Sequence, residues 1–513
     1  MANVKATDLI DFTRASKGHA LAKVSYGDEL VTNGTFDTDS DWVKTQATIS
    51  GGVCEINSPS GLYAGVYQAV PVTVGRMYFI SVEIVSVVAG SALVNVEGGS
   101  AGTLTTSGFI TTAYVATDDT LTVEIKRASG VTEFTIDNVS VKEVLFDQPD
   151  GTLQLFEHPD NIPRIEYDAS GNLLGLLIEE ARTNLVTNSQ DISGLNQATA
   201  DDDVAVAPDG TQTADKLIET TSNSVHWTYN SISATDNQDY TFSIYAKKSE
   251  RTRLTIYPND KANVGFNAVY DIDAGTVVST PAQMTTAIED VGNGWYRCVG
   301  TWNANTGSNA VFVRIGLVSS GTTISYQGDG TSGLFLWGQQ LEAGSFPTSY
   351  IKTSGGTASR SADVATIDVD QFGFNANEGT LFAELQHFDP RTGSKIATGM
   401  GFGDGTANNR MWYYQNKGQW IGASGGVVQF SITGSDSSEN TPTKFAGVYK
   451  TNDFTAYIDG TSIGTDSSGS VPVVPTLFIG YSGISNSELN GHIKSIKYYP
   501  KRLSNAKLQE LTS

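Results

Sequence analysis

The sequence predicts an all-β protein: three antiparallel β-sandwich modules joined by an extended connector. Three observations lead there. Charged residues make up only 17% of the 513, and Gly numbers 53. Leu/Glu/Lys-rich stretches, which helices need for their exposed faces, are missing. Short runs of Val, Ile, Thr, Tyr and Phe are instead punctuated by Gly, Asn and Asp, as half-buried strands and turns require.

Residues 1–28 read as an N-terminal anchor and connector strand. Residues 29–145 read as a jelly-roll sandwich that opens at Glu29 to Asp37 and closes on Phe134 to Val141. Residues 146–183 read as a connector. It holds Pro149-Asp150-Gly151, then Pro163 to Asp168, then a buried strand from Leu176 to Arg182. Residues 184–353 repeat the first pattern, from Asn184 to Ser189 through to Leu334 to Glu342, with clear strands at Tyr240 to Ala246 and Trp295 to Trp302. Residues 354–513 form a third sandwich. Asp459-Gly460 marks a tight turn in it, and Ser504 caps a helix over Asn505 to Leu511.

The net charge of −23 argues against nucleic acid and against anionic membrane surfaces, because phosphate binding needs clustered Lys and Arg. It serves solubility, and excess carboxylate also suits Ca²⁺. Cys54 and Cys298 fall in different modules and read as small core residues. Met1 to Ser16 carries Lys5, Asp8, Asp11 and Arg14, unlike a signal peptide, and no run reaches the ~20 apolar residues of a membrane span. The expectation is synthesis in a cytoplasm without conventional export.

Three resemblances arise from particular residues. Leu30 to Asp37, Trp42 and Ile136 to Val141 make residues 29–144 similar to carbohydrate-binding modules appended to xylanases. Phe12 to Ser16, Pro163 to Asp168, Gly175 to Leu185, Pro208 to Thr211 and Leu341 to Ile351 resemble a recurrent bacteriophage tail-protein arrangement. In that arrangement the Phe-Thr-Arg-Ala-Ser strand lies close before the Pro-Arg strand. Here roughly 150 residues separate them, so the first sandwich reads as an insertion, which adjacent termini make inexpensive. Residues 376–513 resemble a concanavalin/laminin-G-type lectin domain through Ala456 to Gly460, Phe478 to Gly480 and Gly491 to Ser504.

Sugar sites combine aromatic faces with a few hydrogen-bonding groups, because a pyranose has an apolar face and a polar rim. The candidates are Trp42, Tyr63 and Tyr67 in the first module, Trp227 and Tyr229 in the second, and Trp412, Tyr413, Tyr414 and Trp420 in the third. Each also suits a core. Trp295, Trp302 and Trp337, inside strands, read as core. The carbohydrate-binding-module resemblance implies a structural Ca²⁺ between opening and closing strands, where Asp37 and Asp137 stand; ordinary turn acids are the alternative. Asp389, Asp404 and Asp436 lack EF-hand spacing. Five histidines are scattered over different modules and none sits in HExxH or beside a Gly-x-Ser-x-Gly elbow, which predicts no enzyme. Glu179 and Glu180 point to opposite strand faces, so one pairs with Arg14, Arg164 or Arg182 to lock the connector.

The phage resemblance implies a virion protein: a tail fibre or fibre-like appendage that contacts host surface polysaccharide. Its other partners would be virion proteins of the tail or baseplate, or of the capsid, with a homotrimer as the expected oligomer. The alternatives are a head fibre, decoration or tail-assembly protein without glycan binding, and a capsule depolymerase.

Overall fold

The computed structural model describes residues 10–148, 150–259, 265–304, 310–389, 396–484 and 487–513. Residues 1–9 of the expected N-terminal anchor segment and Pro149 lie outside them. The described chain is built of antiparallel sheets, and its α-helix, Asn505–Thr512, is capped by the Ser504 side chain, which accepts from the Lys507 backbone N–H. Among the described residues no helix is long and apolar enough to cross a membrane.

The chain divides into two compact units. One comprises residues 22–159 with 209–212; the other comprises 1–21, 160–208 and 213–513. The smaller unit is a sandwich. One layer runs Gly108–Val115, Met77–Ala89, Thr132–Phe146, Gly18–Glu29, Thr152–His158, with Val53–Ser58 and Ala47–Ser50 also attached through Thr132–Phe146. The other layer runs Val43–Thr45, Gly65–Pro71, Thr120–Arg127, Ala92–Val96, Gly99–Leu104. Alternation explains the packing: Leu121, Val123 and Ile125 are fully buried, while Thr122, Glu124 and Lys126 between them face outward. Cys54 sits in this core as a free thiol, and burial pushes its pKa up to about 12. Opening and closing segments meet, since the Leu30 N–H donates to the Val141 carbonyl and the Val139 N–H to the Gly34 carbonyl.

The larger unit contains two sandwiches. In the first, a six-stranded layer (Ala198–Ala205, Ala214–Glu219, Gly333–Ala343, Gln238–Lys248, Trp295–Ala304, Met284–Asp290) faces a five-stranded one (Trp227–Ser233, Ala310–Leu317, Arg253–Asn259, Ala268–Asp271, Thr276–Ser279). Trp302 and free Cys298 lie in its core, and Trp295 and Trp337 are buried. The C-terminal sandwich has two seven-stranded sheets. Its turn at Asp459-Gly460 takes positive φ at both residues (45° and 75°), which is why glycine follows the aspartate there.

The connector strands join the sheets of the C-terminal sandwich. Asp11–Thr13 pairs with Val364–Asp368 at one edge of the first C-terminal sheet, while Ile165–Tyr167 and Leu173–Ile178 extend the other sheet through Gly491–Tyr499. Phe12, Leu176 and Ile178 lie in the core of that sandwich. An isolated strand would leave backbone N–H and C=O groups unpaired, so these segments complete sheets instead.

Their polar side chains form a buried ion network. Asp363 binds Arg14 (3.2 Å) and Arg164 (2.5 Å); Glu179 binds Arg164 (2.8 Å) and Arg360 (3.1 Å). The Ser349 N–H and hydroxyl both donate to the Glu179 carboxylate (2.7 Å each). Glu180 turns the other way and pairs with Arg182 (2.6 Å). Burial raises the Glu179 pKa, but Arg360, Arg164 and Ser349 outweigh it and bring the carboxyl down to about 2. Burial and the neighbouring Arg164 lower Arg14 to about 10 in spite of Asp363.

Candidate functional site

The outer face of the five-stranded sheet in the smaller unit gathers exposed aromatic and polar groups. One cross-strand row takes one residue from each strand: Val43, Tyr67, Glu124, Asn95 and Ser100. Residues opposite one another in adjacent strands share a face, so these side chains stand side by side. Tyr67 is 40% exposed and Val43 51%.

Tyr63 joins the row from the loop before Gly65–Pro71. Its carbonyl accepts from Gln46 Nε2, and the Leu62 carbonyl accepts from the Ser58 hydroxyl, so the loop is fixed at two points. The Tyr63 ring is 43% exposed, and its hydroxyl donates to Glu124 Oε1 (2.7 Å). Asn95 Nδ2 (3.2 Å) and Lys126 Nζ (2.5 Å) hold the other carboxylate oxygen. Burial raises the Glu124 pKa, but these three partners together hold it below the usual carboxylate range. Burial and Glu124 push the Tyr63 phenol up to about 12, so near neutral pH it remains a donor. Two exposed rings thus flank an oriented carboxylate: apolar faces with hydrogen-bonding capacity between them, the elements a sugar ring needs.

The sequence singled out Tyr63 and Tyr67 but missed Glu124, Asn95 and Lys126. The available signal was the strict alternation in Thr120–Arg127, which places Glu124 on the wet face.

Other candidates need correction. Trp42 is not a stacking platform: it is 7% exposed, packs on Phe36 (5.2 Å between ring centres), and its indole N–H donates to the Asn33 carbonyl (3.0 Å). Trp412, Tyr413, Tyr414 and Trp420 are likewise buried. Tyr413 stacks on Phe445 with ring centres 3.8 Å apart, Trp420 packs on Phe430 and Phe445, and Trp412 lies beside Tyr414 under Arg410. Both faces of Arg410–Tyr414 are covered, so alternation leaves no wet side. Trp227 is half-buried and Tyr229 is 37% exposed on the five-stranded sheet of the second sandwich.

Asp37 and Asp137 lie in the same neighbourhood. Burial, Glu83 and Asp37 raise the Asp137 pKa against one backbone hydrogen bond. The Asn138 amide donates to Glu83 (2.6 Å) and to Asp137 (3.3 Å), and the Thr35 hydroxyl donates to Asp37 (2.8 Å). A calcium cage needs six to eight oxygens around one point. Among the described residues no three His, Cys, Asp or Glu side chains group to hold a metal ion. Asp404 likewise spends its carboxylate on Thr406 and Asn409.

No protein-family model matches the chain, and no curated protein matches it. Among solved structures, the chain is similar to the N-terminal CBM22-1–CBM22-2 tandem domain of a Paenibacillus barcinonensis protein. The identity is 9% and the TM-score 0.20, over 62% of this chain and 97% of that one. Trypanosoma rangeli sialidase in complex with 2,3-difluorosialic acid is 11% identical at a TM-score of 0.23, over 91% of this chain and 83% of that one. Its complex with the inhibitor DANA is 11% identical at 0.23, over 97% and 94%. Sialidases are enzymes, and their presence here overturns the flat expectation that the chain is not one. At these TM-scores the likeness assigns no activity.

Proposed function

We propose that this chain is a structural protein of a bacteriophage virion, a tail fibre or fibre-like appendage, that binds host surface glycan. The observation that carries the glycan reading is the row Tyr67–Glu124–Asn95, with Tyr63 clamped to the same carboxylate. Rings exposed on a rigid sheet offer stacking area with little conformational entropy to lose, and a preset carboxylate receives sugar hydroxyls. The virion reading is supported by the motifs Phe12 to Ser16 and Pro163 to Asp168, whose Arg14 and Arg164 share the carboxylate of Asp363. In this reading the partners are other virion proteins and host polysaccharide, and the location is the phage particle. Assembly is a homotrimer, in which linked copies of a weak site gain avidity.

The test is binding of the full chain to an array of bacterial surface polysaccharides. Wild type binds at least one polysaccharide. Tyr67→Ala and Tyr63→Ala each weaken that binding about tenfold, in line with about 1.4 kcal/mol for a lost stacking partner. Unchanged binding in both variants would remove this site from the reading.

A further inference from the structure

The sandwich that opens the larger unit carries a corresponding row with the opposite charge at its centre. In its five-stranded sheet Tyr229 stands opposite Arg314, and Arg314 opposite Tyr257. The matching row of the other sandwich reads Tyr67, Glu124, Asn95. Trp227 lies two residues from Tyr229 and Phe312 two from Arg314, so all five side chains share one face. The Arg314 guanidinium carbon lies 4.8 Å from the centre of the Trp227 ring, 5.5 Å from Tyr257 and 5.9 Å from Phe312. Tyr229 and Phe312 are 37% and 38% exposed, with ring centres 6.0 Å apart.

Arg314 has ring contacts but, among the described residues, no carboxylate partner. On the adjacent strand, Arg253 is paired with Asp271 at 2.8 Å. In a chain of net charge −23, a guanidinium left without an acid and framed by four aromatic rings is complementary to an anion that also has an apolar face. We infer that this face binds an acidic polysaccharide through a pyranose bearing a carboxylate, a uronic-acid type of residue. The rings stack on the sugar, and the planar guanidinium receives its carboxylate through two parallel N–H donors, as a point-charge ammonium does not. The inference rests on the glycan-binding reading and adds to it a second site and a charge class.

Affinity electrophoresis of the full chain tests it, at about 0.15 M salt so that long-range repulsion is screened. The gels contain polygalacturonate, alginate, carboxyl-reduced polygalacturonate or poly-L-glutamate. At least one of the two uronate polymers retards wild type, and the reduced polymer and the polypeptide do not. Arg314→Gln lowers the uronate affinity tenfold or more, Arg314→Lys less, and Phe312→Ala also weakens it, all with unaltered unfolding midpoints. Three results would each overturn the inference: no retardation by either uronate, retention of binding in Arg314→Gln, or equal retardation by poly-L-glutamate. Array binding that depends on Tyr67 together with any of these leaves the first site standing and removes only the second. Uronate binding that depends on Arg314, with an array signal indifferent to Tyr67 and Tyr63, does the reverse.

Discussion

Tyr63 and Trp42 lie in the same sandwich and differ in what they touch. Trp42 closes the core with its indole N–H on the Asn33 carbonyl, while Tyr63 spends its hydroxyl on Glu124 and leaves its ring wet. Substitution should separate the two roles. Trp42→Ala should cost about 3–5 kcal/mol of stability, the usual result of emptying a large aromatic site, read as a lower urea midpoint. Tyr67→Ala should leave that midpoint nearly unmoved and change only binding. The sequence could not distinguish these residues, because alternation says which side chains share a face and not whether that face is covered. Trp412 and Tyr414 make the point: they share a face, and that face is buried. Glu124 was legible in principle, but its role depends on Asn95, 29 residues away, and on a loop tyrosine 61 residues away.

At the scale of elements, the short strands from the N-terminus and the 160–184 segment are held by charge as well as by sheet pairing. Glu179 lies between Arg164 and Arg360, and Asp363 lies between Arg14 and Arg164. Removing one partner leaves the rest buried and uncompensated, so Glu179→Gln should destabilise the larger unit by about 3–5 kcal/mol. The folded pKa of Glu179, about 2, lies below its ordinary 4.5. A carboxyl depressed on folding contributes stability that is fully present above the unfolded pKa and lost as pH falls toward the folded one. Wild type should therefore lose stability between about pH 4.5 and 2, and Glu179→Gln should show a shallower loss in that window; acid titration followed by tryptophan fluorescence checks both. The sequence offered Arg14, Arg164 and Arg182 as partners for one of Glu179 and Glu180, and in the structure Arg164 pairs with Glu179 and Arg182 with Glu180. Arg360 and Asp363 were not readable, because they sit some 180 residues further along, where only the fold brings them back.

At the scale of the whole molecule, one compact unit interrupts another: residues 22–159 leave the chain and return to it. Each unit has its own core, so calorimetry should resolve at least two unfolding transitions, with Trp42→Ala lowering one and Glu179→Gln the other. All-β architecture was legible from composition and alternation. The return of the connector strands as sheet edges was not, since pairing between Phe12 and Ala365 leaves no local trace. The claim that matters most is that the exposed tyrosine row binds glycan, and binding of wild type and Tyr67→Ala to bacterial surface polysaccharides tests it most directly. A glycan held by wild type and lost about tenfold in the variant, with equal unfolding midpoints, is the predicted result; a chain that binds no surface polysaccharide, or binds it equally without the Tyr67 ring, would contradict it.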